Sequence, residues 1–286
     1  MKTILTFVGG GERDIVILKT ALSAAIPLSA HLDVLHAHVP STLALRHANL
    51  DYAMGDGLKK ALVRLDVNAD SFSRLAAENV RAFCATAAIE MCDRPTGTQN
   101  VTARFFEEAS NELECLSAHA SQHDMVVMGR LRQKQGLAPD TLEHMVRNSR
   151  RPVLAAATEP PRTLTDTIMV CWKDAGNTAA AVTAAAPLLA KARRVLFVRV
   201  AKRDLGFTAE MATTAREIGG IQAEAQFIPA SRGSVPDALA AAAEECDASL
   251  LVAGAYGRSR GRQILFGSCT DKLLERCDRP ILLMHS

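Results

Sequence analysis

The chain lacks the features that mark several functional classes. None of its apolar runs approaches the ~18 residues of a membrane span, and the opening MKTILTFVGGGERD favours a strand over a signal peptide. The formal net charge is only +2 over 286 residues, and no block of about five or six like charges occurs. We therefore expect a cytoplasmic protein that binds neither membranes nor nucleic acid through bulk charge.

Paired cysteines are also missing. The chain has seven cysteines, and no two of them have the C-x-x-C spacing of redox and zinc motifs. We therefore expect reduced, mostly structural thiols. Cys269 and Cys277 share one face of the predicted last helix, and Cys269 lies at the helix start, where a thiolate is favoured. Packing of two small side chains is the preferred interpretation, with redox sensing as the alternative.

The sequence does contain an internal repeat. Four segments recur in the same order: 24–28 with 185–188, 34–39 with 195–200, 125–129 with 250–254, and 151–154 with 279–282. A chain that repeats its pattern of turns and apolar runs usually repeats its fold. We predict two domains, 1–158 and 164–286, joined by a linker around Pro160 and Pro161. The first copy carries an insertion at about 40–100 that contains a predicted long helix over 58–91.

Short β-rich runs alternate with Ala-rich helical stretches in each copy. The second copy is predicted to have strands at 167–172, 195–200, 222–228, 249–253 and 281–285, and helices at 178–191, 209–218, 236–245 and after Ser268. The near-continuous apolar runs SLLVAG and ILLM are typical of strands covered on both faces. The predicted class is α/β, with two parallel, doubly wound, five-stranded sheets. Ligands in such folds bind beyond the strand C-termini.

The most informative motif is Gly254-x2-Gly257-x9-Gly267-Ser268, which follows a predicted strand and precedes a predicted helix. Glycines let backbone N–H groups approach phosphate oxygens closely. A serine at a helix start can cap the helix and bind an anion, which the helix dipole also favours. The motif therefore predicts a phosphate site, and a simple tight turn with a helix cap is the alternative.

With its flanking elements, this motif resembles the G-2x-G-9x-G-[S/T] signature of nucleotide-binding universal stress proteins. The resemblance extends over nearly the whole chain when both copies are counted. It implies a flavodoxin-like core, of the adenine nucleotide alpha hydrolase type, that holds ATP together with Mg²⁺ or Mn²⁺. The implied contacts are Gly254, Gly257, Gly267, Ser268, Cys269 and Thr270 on the phosphate side, Val200 at the adenine, and Cys171 and Trp172 beside the base.

One position departs from the family pattern. ATP-binding members commonly carry Asp in the first loop, whereas this chain has Lys173 there and Asp174 one residue later. Either Asp174 substitutes through a shift of the loop, or Lys173 contacts a phosphate. The glycine-rich loop also contains arginines that either neutralise an anionic ligand or are solvated: Arg258, Arg260 and Arg262.

The first copy has lost the phosphate motif. Pro139 and Asp140 occupy the places of Gly267 and Ser268. Proline has no N–H donor, and a carboxylate repels phosphate, so we predict no ATP in this copy. The glycines at 9–11 match neither a P-loop nor a G-x-G-x-x-G site, which favours a flexible strand-to-helix turn.

Catalytic and metal-binding sets are not recognisable. His36 and His38 lie two apart on a strand, and His119 and His123 lie four apart near a helix end. Either pair can begin a zinc site, but no spacing completes a ligand set, so no metal site is predicted. No Ser-His-Asp arrangement or nucleophile elbow occurs. We therefore name no catalytic residue and expect at most slow hydrolysis.

The leading functional hypothesis is a stress-response ATP-binding regulatory or interaction protein. A weak ATPase remains an alternative, as does a nucleotide-free structural or other small-ligand-binding protein. The resemblance also implies that the last strands of the two copies, 153–157 and 281–285, pair within one chain as an internal pseudo-dimer. Whether two such chains also associate as a homodimer is left open.

Overall fold

A computed structural model describes residues 1–38, 56–97, 100–110, 112–130, 141–173, 176–203, 206–207, 211, 223–230, 234–255 and 269–285. The strands are β1 (Thr3–Phe7), β2 (His31–His38), β3 (Glu90–Met91), β4 (Thr102–Ala109), β5 (Met125–Met128), β6 (Val153–Ala155), β7 (Thr167–Cys171), β8 (Arg194–Ala201), β9 (Ala223–Pro229), β10 (Leu250–Gly254) and β11 (Ile281–Met284). The helices within these residues are α1 (Asp14–Leu28), α2 (Asp56–Thr86), α3 (Glu112–Ala120), α4 (Thr141–Asn148), α5 (Gly176–Leu189), α6 (Val235–Glu245) and α7 (Cys269–Arg276).

The eleven strands form one sheet in the order β3-β4-β2-β1-β5-β6-β11-β10-β7-β8-β9. Nine of the ten neighbouring pairs are parallel, and only β6 and β11 run antiparallel. Outward from that pair, the order β6-β5-β1-β2-β4 in one half corresponds to β11-β10-β7-β8-β9 in the other. The predicted α/β class with a mostly parallel sheet is confirmed.

The two halves join through their last strands. Leu154 of β6 lies opposite Leu282 of β11, and both side chains are fully buried. The expected pairing of these strands within one chain is therefore confirmed. Because each strand fills the open edge of the other, neither half exposes an unpaired strand at this position.

Helices cover both faces of the sheet. Alternate strand residues enter two apolar layers, so Ile4 and Val252 face one layer while Leu5 and Leu251 face the other. Residues of α1, α2 and α5 complete the first layer, and residues of α3, α4, α6 and α7 complete the second. Burial on both sides explains why the strands are apolar almost without interruption.

The insertion forms α2, which packs against α1, β2 and β4. The sequence predicted a helix over 58–91, but α2 ends at Thr86 because Ala88 adopts a left-handed conformation with φ of 51°. The chain then forms β3, where Glu90 pairs with Thr102 of β4. The first half therefore has six strands rather than the predicted five.

Two other points of the sequence analysis concern helices. The predicted helix over 209–218 lies, apart from Met211, outside the described residues. None of the helices in the described part of the chain, including α2 with its 31 residues, has the length and apolarity of a membrane span.

A buried arginine strengthens the contact between the halves. Arg130 follows β5, and its Nη1 donates to the carbonyl oxygen of Leu274 at 3.1 Å. The same guanidinium also donates to the carbonyl oxygens of Cys277 and Arg279. The last carbonyls of a helix lack partners within it and attract positive charge. Arg130 of the first half thus caps the C-terminal end of α7 in the second.

The predicted strand-to-helix turn at residues 9–11 is present, and α2 packs directly against it. Gly10 has φ of +80°, and a Cβ at this position would lie 2.3 Å from the carbonyl oxygen of Phe72. Both the conformation and the backbone contact therefore require glycine.

Gly10→Ala should lower the free energy of unfolding by ~2–4 kcal/mol, since it adds a steric clash with α2 to the strain of a positive φ. Gly97→Ala is the matched control, because Gly97 has φ of +70° with nothing near its Cβ position, and it should cost about 1 kcal/mol. Urea unfolding of both variants tests this. Equal losses would show that the Phe72 contact adds nothing.

Candidate functional site

The C-terminal ends of three neighbouring strands in the second half form the predicted ligand edge. Cys171, the last residue of β7, pairs with Ala253 of β10 on one side and Val198 of β8 on the other. Gly254 ends β10 opposite Met284, whose carbonyl oxygen accepts the Ala255 N–H at 2.9 Å. The backbone that leads into the glycine-rich loop is therefore held by β11.

The side chains predicted to enclose the base lie on different faces of the sheet. Cys171 and Val200 belong to the apolar layer beneath α6 and α7, and Cys171 is almost fully buried. Trp172 points into the opposite layer, where its ring lies edge-on to Phe197 at 5.9 Å. The structure therefore brings Cys171 together with Val200 but separates both from Trp172, since consecutive residues at a strand end alternate in direction.

Trp172 carries an unsatisfied polar atom. Its backbone N–H donates to the carbonyl oxygen of Val198 at 2.8 Å, which extends the β7–β8 ladder. Its indole Nε1, by contrast, is buried without a hydrogen-bond partner among the residues that the structure describes. A buried indole N–H normally has an acceptor, so Trp172 is an unsatisfied donor in the layer opposite Cys171 and Val200.

Positive charge lies near the start of α7. Lys173 is exposed just beyond β7, whereas Thr270 in the first turn of α7 is buried. Although Cys269 retains exposed surface, burial of its thiol raises the pKa, and the charges of Lys173 and Lys272 oppose that rise. Lys173 directly follows β7, which pairs with β10, so its ammonium adds positive charge at the edge where the glycine-rich segment begins.

The cysteines of α7 favour packing over redox chemistry. Burial raises the pKa of the Cys277 thiol as well as that of Cys269. Cys277 lies in the apolar layer with Cys171. A position at a helix start by itself favours the thiolate of Cys269. The raised pKa shows the opposite preference, because desolvation destabilises the thiolate more than the nearby lysines stabilise it.

Several predicted residues lie outside the described part of the chain: Asp174, Gly257, Gly267, Ser268, the loop arginines Arg258, Arg260 and Arg262, and Pro139 and Asp140 of the first copy. Their assignments stay predictions.

Comparison with known families identifies the second half. Residues 165–285 match the model of the Universal stress protein family. The C-terminal half is a universal stress protein domain. The match begins just before β7 and ends just after β11, so it contains the whole ligand edge described above. None of the curated proteins compared with the chain matches it.

Solved universal stress proteins share the fold over the full length. One from Archaeoglobus fulgidus is 16% identical, with 99% of this chain and 96% of that chain covered at a TM-score of 0.67. Another assigned to the family, from Pseudomonas aeruginosa, is 16% identical with 100% and 93% covered at 0.57. A universal stress protein in complex with cAMP is 22% identical, with 43% and 98% covered at 0.36. The first two comparisons establish the fold alone, and cAMP is the ligand of the third protein.

The corresponding turn of the first half differs from the universal stress protein domain in charge. Asp14, in the first turn of α1, accepts the N–H groups of Gly9 and Gly10 at 3.0 and 2.9 Å. Burial raises the pKa of this carboxyl group, and hydrogen bonds from Gly9, Asn79 and Gly10 oppose the rise. The amides that face this turn are therefore already bound by an acidic side chain of the chain itself.

The two histidine pairs seen in the sequence have different environments. His36 is buried, with Nδ1 bonded to the carbonyl oxygen of Val8 at 2.9 Å, and its ring stacks on that of His38 with 6.4 Å between the centroids. His119 on α3 contacts Glu108, whereas His123, three residues after the end of α3, contacts Asp33. These carboxylates come from β4 and β2, so the interactions become visible only once the sheet is assembled.

Asp33 is the centre of a buried charge cluster. It accepts hydrogen bonds from Arg104 Nε at 2.7 Å and His123 Nε2 at 2.8 Å, and His31 Nε2 lies 3.5 Å away. Burial by itself raises the pKa of Asp33, but the hydrogen bond from His123, the nearby His31 ring and the charge of Arg104 outweigh it, so the pKa is held well below its usual range.

Asp33→Asn should lower the free energy of unfolding by ~2–4 kcal/mol at pH 7, because the Arg104 guanidinium and the buried His123 ring lose their carboxylate partner. The folded-state pKa is depressed, so this stabilisation is present above the unfolded value of about 3.9 and is lost as pH falls. The difference in the free energy of unfolding between wild type and Asp33→Asn should therefore shrink progressively below about pH 5.

Denaturant unfolding at pH 7 and pH 3 measures this difference, because at pH 3 about 1 kcal/mol of the stabilisation should be lost. Asp166→Asn is the control, since Asp166 is exposed and only loosely paired with Arg193 at 3.9 Å, and it should change stability little. A difference for Asp33→Asn that is equal at both pH values would contradict the assignment.

Proposed function

We propose that the universal stress protein domain binds ATP at the C-terminal ends of β7, β8 and β10, and that the protein acts as a nucleotide-dependent regulatory or interaction protein in a stress response. The observation that carries the proposal is the pairing of β7 with β10, which makes Lys173 leave the sheet beside the strand that leads into the glycine-rich segment. A cationic side chain beside such a segment is suited to an anionic ligand.

The phosphate side of the proposal combines two elements. The glycine-rich segment after Gly254, with Gly257, Gly267 and Ser268, would supply backbone amides and a hydroxyl. Lys173 would supply positive charge. Of the two roles considered for the first loop, the proposal therefore assigns Lys173 a phosphate contact. A divalent cation, Mg²⁺ or Mn²⁺, would neutralise the remaining phosphate charge when bound.

The base side is supported by the apolar end of β8. Val200 packs at the edge of the layer beneath α6 and α7, next to the buried Cys171, whereas Trp172 lies on the opposite face of the sheet. An adenine ring has a flat apolar face, which matches the Val200 side of the site. Asp174, two residues after Trp172 in the sequence, completes the residues that we assign to the base side.

The proposal assigns one nucleotide to each chain. We divide the chain into domains 1–158 and 164–286, a division supported by the interval between β6, which ends at Ala155, and β7, which begins at Thr167. In the first domain the Asp14 carboxylate holds the turn amides, and Pro139 and Asp140 replace the phosphate-binding residues. We place the protein in the cytoplasm as an internal pseudo-dimer.

Isothermal titration of the full chain with Mg-ATP should give one site per chain, and Gly267→Asp should abolish it because a carboxylate would face the phosphates. Lys173→Ala should weaken binding about tenfold, the effect of losing one charge-assisted contact. Lys191→Ala is the control, since Lys191 follows α5 near the opposite ends of the strands, and its affinity should match wild type.

Two results would overturn the proposal. Two equal sites per chain would contradict the assignment to the second domain, and absence of binding to nucleotide-free protein would reject ATP as the ligand. If phosphate release accompanies binding, its loss in Gly267→Asp would identify a weak ATPase, whereas unchanged release in that variant would point to a contaminant.

A further inference from the structure

Three side chains with metal-binding atoms meet beside β4 in the first half. Glu108 near the end of β4 contacts both Cys115 and His119 of α3, and their ligand atoms all lie within 4.8 Å of one another. The Cys115 thiol donates to Glu108 Oε2 at 2.5 Å, and His119 Nε2 lies 2.8 Å from the same oxygen. One carboxylate oxygen therefore faces a thiol and an imidazole at once.

Local structure explains this convergence. Cys115 and His119 are one helical turn apart, which places their side chains on the same face of α3. Glu108 lies two residues after Phe106 on β4, so both point to the same face of the sheet. Phe106 packs in the apolar layer that also contains Cys115. The strand and the helix that follows it thus present all three ligands to one point.

The His119 ring is held from two sides. The ring of Phe106 packs edge-on against it, with 5.0 Å between the centroids. The guanidinium of Arg104 lies 4.5 Å from the centre of the Phe106 ring and donates to Asp33. His123, the other partner of Asp33, contacts the carbonyl oxygen of His119 through Nδ1 at 2.7 Å. The buried charge cluster therefore fixes the position of His119, as supporting contacts do around metal ligands.

We propose that Glu108, Cys115 and His119 form a zinc site with three protein ligands and one position for water. The chemical types of the three ligand atoms indicate which metal the site prefers. Thiolate and imidazole suit Zn²⁺, which commonly takes sulfur, nitrogen and carboxylate oxygen in tetrahedral sites. Magnesium and calcium prefer oxygen ligands throughout, so a cysteine within a set of three disfavours both.

Metal binding requires only a small rearrangement. Bond lengths of ~2.0–2.3 Å in a tetrahedral site place ligand atoms roughly 3.3–3.7 Å apart. The Glu108 oxygen therefore has to withdraw by about 1 Å from its two hydrogen-bond partners, relative to the distances above. Its side chain is 46% exposed, so this movement disturbs no packed core. Binding displaces the Cys115 S–H proton to solvent. The His119 proton that Nε2 donates to Glu108 moves to Nδ1 by exchange with solvent, so that Nε2 is free to bind the metal and one proton is released in total.

Without a cation the cluster is a set of hydrogen bonds rather than a reactive thiol. Burial and the neighbouring Glu108 carboxylate raise the pKa of Cys115 to about 12, so the thiol stays protonated at neutral pH. A reactive cysteine needs the opposite environment, with positive charge and a lowered pKa. Zinc supplies the charge that the three side chains lack.

Zinc binding by the full chain tests the proposal. Protein stripped of metal with a chelator is titrated with Zn²⁺ against a chromophoric competitor, and wild type should bind one ion at this cluster. Cys115→Ser, His119→Asn and Glu108→Gln should each weaken that site at least about a hundredfold, beyond the range known for loss of a supporting contact. Glu108 and His119 retain exposed surface, so their variants should keep the wild-type circular dichroism spectrum.

Two control variants separate this site from incidental binding. Glu107→Gln alters the neighbouring residue, which points to the other face of β4 and lines a cavity of about 450 Å³ beside α2. Cys92→Ser removes a half-buried thiol that donates to the carbonyl oxygen of Arg94. Both controls should bind zinc as wild type does.

Cobalt adds a readout of the ligand set. Co²⁺ in place of Zn²⁺ should give tetrahedral visible bands and a thiolate charge-transfer band, and the latter should disappear in Cys115→Ser but persist in Cys92→Ser. Absence of a zinc site in wild type, or affinities in the three ligand variants equal to those of the controls, would overturn the proposal and leave a plain hydrogen-bonded triad.

Discussion

The antiparallel pairing of β6 with β11 is the constraint on which the rest of the structure depends. Each half is a parallel sheet whose last strand would otherwise be an open edge, and the backbone ladder between them makes one sheet of eleven strands. Because the pair is antiparallel, the strand C-termini of the two halves point to opposite edges of the sheet. The candidate nucleotide site and the Asp14 turn therefore lie at opposite edges, while Arg130 at the end of β5 lies within reach of the end of α7.

The two halves share the same strand order but carry different polar groups. In the second half, the strand ends combine Gly254 with the exposed Lys173, a combination suited to an anionic ligand. In the first half, two buried carboxylates have internal partners: Asp14 holds backbone amides, and Asp33 holds Arg104 and His123. A site satisfied by its own acidic side chains repels phosphate and favours cations.

Side-chain contacts connect the buried charge of the first half to its candidate metal site. Asp33 positions Arg104, which packs on Phe106, and Phe106 in turn contacts His119. A carboxylate at the start of one strand thereby influences a ligand near the end of its neighbour. Such packed networks have few alternative arrangements, because every polar member already has a partner and every ring fills space in the layer.

The sequence by itself determined the features that depend on local pattern: the apolar strands, the repeat and the α/β class. The pairing of the last strands was expected from the family resemblance, and the phosphate site after Gly254 stays a prediction. The sequence did not predict the end of α2, the added strand β3, the cap by Arg130, or the cluster of Glu108, Cys115 and His119. These depend on which segments meet in three dimensions. Arg130 and Leu274 are 144 positions apart. No sequence pattern within either segment predicts that the Arg130 guanidinium will contact the Leu274 carbonyl. Only the tertiary structure decided those contacts, since they follow from the packing of whole strands and helices.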